Sequence, residues 1–184
     1  MLFAQESWDA SVLDTCKIFK GIYEASQNPD SVYRLDLSKK KLKEFPAEVL
    51  QFKQLRELNI SRNNIEQLPE LICSLPNLQR LYINNNKLTA LPTCIGNLKN
   101  LQILELNRNL IESLPVEIGL LINLEELSLW DNELGDIPEE IKNIGTLKKV
   151  ELRGILFNSE QQKRVHDLLP YTTIYFSPSC NCKN

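Results

Sequence analysis

The chain repeats itself every 23 residues, with units that begin at Val32, Leu55, Leu78, Leu101, Leu124 and Leu147. A fixed period of this length means that each unit buries its apolar face only against its neighbours. The chain is therefore an array and not a globule packed around one centre. Four units open with the same spacing: Leu55-Leu58-Ile60-Asn63-Ile65, Leu78-Leu81-Ile83-Asn86-Leu88, Leu101-Leu104-Leu106-Asn109-Ile111 and Leu124-Leu127-Leu129-Asn132-Leu134. Each then carries an apolar-Pro pair and two more apolar positions, as in Leu68-Pro69, Ile72, Leu75 and Leu91-Pro92, Ile95, Leu98.

The apolar residues at the fourth and sixth positions alternate with polar ones, the pattern of a strand with one buried face. Stacked units then form a parallel sheet. The Asn at the ninth position ends each strand, and its amide can satisfy backbone N–H and C=O groups of adjacent coils that burial would leave dry. The Pro that follows the fourteenth position fixes φ and lacks a donor, which suits an extended or irregular outer segment. The expected class is α/β: a right-handed solenoid with a concave parallel sheet and short helical or irregular turns outside. These repeated residues build the scaffold and carry no chemistry.

The end units deviate, as caps must. Lys40 and Phe45 replace Asn and Leu in the first, and Ile155 replaces Asn in the last. Residues 1–31 are read as an N-terminal segment with an amphipathic capping helix from about Trp8 to Ser26, its stripe formed by Val12, Cys16, Phe19 and Tyr23. Six repeats occupy 32–170. The last ends in a capping helix opened by a Ser159-x-x-Gln162 box, with Val165, Leu168 and Leu169 inward and Pro170 as the stop. Residues 171–176 form a closing strand, and 177–184 a cysteine-containing tail.

A net charge of −3 supplies no basic face for nucleic acid, and no apolar run is long enough to span a bilayer. Met1-Leu2-Phe3-Ala4-Gln5 reads either as the end of a secretory signal peptide or as a short start.

Ala25-Ser-Gln-Asn-Pro-Asp-Ser-Val32 before the repeats, the uninterrupted units with Leu-Pro-x-x-Ile, and Leu168-Leu-Pro-x-x-x-Ile174-x-Phe176 after them resemble the small bacterial leucine-rich repeat proteins of pathogenic spirochaetes. The resemblance covers about residues 22 to 176. It implies a leucine-rich repeat horseshoe, no cofactor, and recognition of another macromolecule, a host surface or matrix protein among the candidates. It supplies no ligand, because such proteins differ mainly on the concave surface. The motif is also similar to that of cytosolic scaffolds associated with small GTPases. The two expectations are thus an exported, monomeric protein-binding module and, as the alternative, a cytoplasmic signalling scaffold.

The third, fifth, seventh and eighth positions of each unit face out of the concave sheet. Most are polar, yet Trp130 stands at a seventh position, with Tyr82 and Ile103 in the preceding repeats. These three are expected to form a diagonal apolar patch ringed by Arg80, Glu105, Asn107, Arg108, Glu126, Asp131 and Arg153. An aromatic centre with a polar rim is the signature of a protein interface. The competing reading has Trp130 lying against Arg108 or Arg153 as a local cation–π contact.

No catalytic constellation or metal motif is legible. The single histidine, His166, falls on the C-terminal capping helix, remote from the concave centre. Lys39, Lys40, Lys41 and Lys43 read as a solvated turn, and Asn59-Ile60-Ser61 is a glycosylation sequon placed within a strand. Of the five cysteines, Cys16 and the Cys180/Cys182 pair belong to opposite ends of the stack. Cys73 and Cys94, one repeat apart on the convex side, could bond. The tail thiols could instead link two chains.

Overall fold

A computed structural model of the chain describes residues 10–178. Six strands come from the six repeats: β2 (Arg34–Asp36), β3 (Glu57–Asn59), β4 (Arg80–Tyr82), β5 (Ile103–Glu105), β6 (Glu126–Ser128) and β7 (Lys149–Leu152). With β1 (Ile18–Phe19) before them and β8 (Thr173–Phe176) after them, they make one parallel sheet in sequence order. Register is strict. Leu58 faces Leu81, Leu81 faces Leu104, and Leu104 faces Leu127. The column is fully buried, so a slip of one residue would turn it to solvent.

Outside the curve each of the first five repeats makes a single 3-10 turn, such as Thr93–Asn97 and Val116–Leu120, entered through an extended proline such as Pro92 or Pro115. The proline carbonyl accepts the N–H of the buried isoleucine three residues on, as Pro92 does from Ile95 at 3.0 Å. These turns stack closely. A Cβ at Gly119 would lie 2.3 Å from the Glu140 carbonyl oxygen, so only glycine lets the two backbones approach this far.

The ninth-position asparagines form the expected ladder. Asn109 is 5% exposed. Its Oδ1 accepts the Leu88 N–H at 3.1 Å, and its Nδ2 donates to the carbonyls of Ile83 and Leu106 at 2.9 Å each. Asn63, Asn86 and Asn132 repeat the arrangement. Each rung joins its own coil to the preceding one. On the convex side Cys73 and Cys94 are bonded, with 5.9 Å between Cα atoms. Cys16 is free, and Cys180 and Cys182 lie outside the described residues.

Two sequence expectations are corrected at the ends. The single helix from Trp8 to Ser26 does not form among the described residues. Instead α1 (Ala10–Thr15) and α2 (Ile22–Ser26) flank β1, which pairs with β2 as Ile18 with Arg34 and Phe19 with Leu35. An unpaired sheet edge outcompetes a helix for two strand-favouring residues, because β2 would otherwise leave its backbone groups unmet. The inward residues are accordingly Leu13, Phe19 and Ala25, while Val12 and Tyr23 are exposed. At the other end, α3 (Ser159–Leu168) is capped one residue earlier than read. Asn158 accepts the Gln161 N–H and Gln161 returns the bond, both at 2.9 Å. Gln162 instead donates to the carbonyls of Phe157 and Ser177, tying α3 to β8.

Candidate binding face

The concave sheet divides into two halves of different character. In the first three repeats the third-position column reads Arg34, Glu57, Arg80, and all three side chains are largely buried. Glu57 sits between the guanidinium groups, 2.9 Å from Arg34 and 3.2 Å from Arg80. Asp14, carried over by α1, closes the row: Arg80 donates to its carboxylate at 2.5 Å and Arg34 to its carbonyl at 3.1 Å. Hydrogen bonding to Arg80 holds the Asp14 carboxyl below the usual range. Arg80, expected in the rim of a binding patch, is therefore engaged in an internal ion-pair row. Tyr82 beside it is half-buried, and that burial, with Glu57 close by, pushes its phenol up to about 12.

The second half is more open. Trp130 is 36% exposed, with the Arg108 guanidinium 4.3 Å above its ring. Tyr175, on β8, is 42% exposed and lies 5.7 Å from the guanidinium of Arg153. Arg153 grips Glu151 through two hydrogen bonds, and Arg108 approaches Asp131 at 3.7 Å. The eighth-position residues Arg108 and Asp131 both have positive φ, 55° and 60°. That left-handed turn swings their side chains to the lip of the sheet.

A second hydrogen-bond ladder runs along the seventh positions. Ser61 Oγ accepts the Asn84 N–H, Asn84 Oδ1 accepts the Asn107 N–H, and Asn107 Oδ1 accepts the Trp130 N–H, at 3.1, 2.8 and 2.9 Å. Asn107 is thus part of the framework. Trp130 ends the run, because an indole offers no acceptor to the next strand; the Arg153 N–H goes to Glu151 Oε1 instead. The sequence puzzle of an indole facing water resolves here: the side chain holds no rung and is left at the surface, against Arg108.

Register separates the three expected apolar residues. Ile103 pairs with Arg80 and Glu126, whereas Trp130 lies one strand over and four residues along. At ordinary strand spacings that is about 14 Å between Cα atoms, and Tyr82 is about 12 Å from Trp130. Glu105, which accepts from Asn84 at 2.6 Å, and Glu126, 3.5 Å from Lys149, fall between them. The geometry thus draws together Arg108, Trp130, Asp131 and Arg153, leaves Tyr82 and Arg80 in the first half, and sets Ile103 at the far end of its strand from Trp130. Tyr175 belongs with the former group. Its signal was present, since Ile174 and Phe176 read as inward residues of a closing strand, which sends Tyr175 to the concave side.

Among the described residues no three His, Cys, Asp or Glu side chains converge as a metal site would require, and no helix is long and apolar enough to cross a membrane. His166 packs edge-on against Phe176, with ring centroids 5.3 Å apart.

Comparison with known proteins agrees with this architecture. A leucine-rich repeat region model matches residues 33–109, and a leucine-rich repeat model matches 123–144. A Leptospira interrogans LRR protein is 34% identical, with a TM-score of 0.71 over 89% of this chain and 48% of its own. An internalin from Listeria monocytogenes is 22% identical (TM-score 0.64, 80% of this chain and 41% of its own) and shares the fold. The ectodomain of the Arabidopsis thaliana receptor kinase GASSHO1/SCHENGEN3, solved in complex with Casparian strip integrity factor 2, is 29% identical (TM-score 0.60, 74% of this chain and 17% of its own). The chain therefore spans about half or less of these neighbours. No curated protein matches it. With its repeats matched by family models and its coil similar to that of a spirochaete protein, the chain belongs to the leucine-rich repeat family.

Proposed function

We propose that the protein is a non-enzymatic binding module that captures a protein partner on the C-terminal half of its concave sheet. The observation that carries this is the contrast between the halves. Arg34, Glu57 and Arg80 are spent on one another and on Asp14, whereas Trp130 and Tyr175 keep exposed rings beside Arg108 and Arg153. Exposed aromatics with flanking arginines are the residues that anchor protein interfaces. The Arabidopsis neighbour was solved with a bound factor, which supports reading a leucine-rich repeat surface as a recognition surface.

Export, which would bring the binding face to a host surface or matrix protein, is supported as to compartment by the Cys73–Cys94 bond, a linkage that persists in oxidising surroundings. The alternative, a cytoplasmic scaffold, requires those thiols to be reduced in the native protein. Counting free thiols in protein taken from its own compartment separates the two.

The binding test is capture from host-surface and matrix extracts by wild-type protein and by Trp130→Ala. Losing a part-exposed ring with one cation–π contact shifts stability by about 1 kcal/mol, so the variant is expected to keep its melting temperature to within about 4 °C and lose the partner. Equal capture by both proteins would place the binding surface elsewhere.

A further inference from the structure

The two ends of the sheet are finished differently. At the first end the inward residues Leu13, Phe19 and Ala25 are buried. The edge strand β1 is only two residues long, and Lys17 lies 4.5 Å over the Phe19 ring while pairing with Glu24. A short edge guarded by lysine is a standard protection against further pairing. At the last end the columns that are fully buried elsewhere run out uncovered. The fourth- and sixth-position columns end in Ile174 and Phe176, both only partly covered, and the first-position column ends in Tyr171, which is 98% exposed. Strand β8, Thr173-Ile174-Tyr175-Phe176, contains no charge, proline or glycine. Its neighbours on α3, Gln162 and His166, add no carboxylate, lysine or arginine.

The direction of the free backbone groups follows from the ladder. Thr173 donates its N–H back to the Lys148 carbonyl. Alternation along a strand then points the N–H and C=O of Ile174 and Phe176 away from β7, to the open side. Among the described residues nothing pairs with them there.

We propose that β8 is a docking edge for a second copy of this chain, joined antiparallel about a two-fold axis to continue the sheet across both molecules. The guarded first end disfavours head-to-tail stacking, and an edge strand with no charged side chain of its own, its nearest guanidinium (Arg153, beside Tyr175) held by Glu151, lets identical surfaces meet with little like-charge repulsion. The register is determined. Ile174 exchanges both its backbone hydrogen bonds with Phe176 of the second copy, Phe176 does the same with Ile174 of the second copy, and the two Tyr175 residues stand opposite one another at the axis. Tyr175 faces the concave side, so the second copy contributes its own Tyr175 beside the Trp130–Arg153 surface. The pairing itself does not depend on that surface binding a partner.

The test uses the full chain with Cys180→Ser and Cys182→Ser, so that tail thiols cannot link molecules. Sedimentation equilibrium should show a dimer with a dissociation constant on the order of 10–100 µM, as befits a small interface. Tyr175→Glu, which sets two carboxylates opposite each other on an exposed position, should weaken it at least about tenfold. Tyr175→Cys in the same background should cross-link with itself on oxidation, because directly opposed residues of a non-hydrogen-bonded pair lie within disulfide reach. Thr173→Cys, out of register, should not. A monomer at about 1 mM, or cross-linking at Thr173→Cys equal to that at Tyr175→Cys, would overturn the proposal. So would a monomer whose Ile174 and Phe176 amides are already protected from exchange, since residues 179–184 would then be the occupant.

Discussion

Replacing Asn109 by alanine strands the buried Leu88 N–H, held at 3.1 Å, and takes one of two amide donors from the Ile83 and Leu106 carbonyls, which keep Asn86 at 3.3 Å and Asn132 at 3.0 Å. An unmet buried donor or acceptor costs about 1–3 kcal/mol. The site lies between coils and is nearly dry, yet the space left by the amide admits some water. We expect the middle of that range for the one stranded N–H and its two weakened carbonyl neighbours together, about 2 kcal/mol in all. In a chain of this size that is a fall in melting temperature of roughly 4–8 °C. Urea titration is the assay, and the midpoint should move with an unchanged slope. Asn109→Asp sharpens the test. It keeps an acceptor for Leu88 but points a carboxylate at two carbonyl oxygens, so at neutral pH it should be worse than alanine. Its folded-state pKa must lie above the unfolded value of about 4. Stability is then regained as pH falls through the folded pKa, opposite to an ion-paired aspartate. A loss below about 1 kcal/mol for Asn109→Ala, or an Asp variant insensitive to acid, would falsify the ladder as the source of stability.

Two further predictions concern groups outside the ladder. Breaking Cys73–Cys94, by reductant or by Cys73→Ser with Cys94→Ser, frees a loop that spans a sequence separation of 21 residues; loop entropy alone gives about 3 kcal/mol, read as a lower urea midpoint, and an unchanged midpoint would mean that stacking already fixes the loop in the unfolded chain. Tyr82 has a folded pKa of about 12 against an ordinary value of 10.0, so its share of stability is whole below the ordinary value and lost as pH rises through the folded one. Comparing tyrosinate absorbance of wild type and Tyr82→Phe should place the missing amplitude near pH 12, and a difference near the ordinary value would show the ring to be solvated.

How far the sequence carried depends on how repetitive each feature is. The strands, their register and the asparagine rungs recur at a fixed period, so each copy corroborates the others, and all stand where the spacing puts them. The ends occur once and have no such support. Val12, Cys16, Phe19 and Tyr23 fit a helical stripe by spacing alone, but the unpaired β2 edge recruits Ile18 and Phe19 into a strand. Asn158 preceded the helix start by a single residue and took the cap. At the binding face, the outward columns are legible, but what their side chains do with one another is not. Arg80 looked like a rim residue until Asp14, 66 positions away, closed on it. Asn107 looked like a recognition residue, yet its carbonyl oxygen holds the Trp130 backbone. Alternation tells which way a side chain points and is silent about which partner claims it.

The rungs of the asparagine ladder reach back by fixed steps: 21 residues to the preceding N–H and 26 to the preceding carbonyl, at every copy. Excise Leu78 to Asn100, and Asn109 meets Ile60 and Ile65 where it had met Ile83 and Leu88, at the same steps and with apolar residues of the same kind. No rung records how many coils came before it. A gene duplicated or trimmed in units of 23 codons would therefore encode a chain in which every asparagine rung is still made, although this excision also takes out Arg80 and Cys94, whose contacts with Glu57 and Cys73 do not repeat. As far as the ladder is concerned, length changes in whole coils, and arrays of one descent can differ in coil number with every rung still in place.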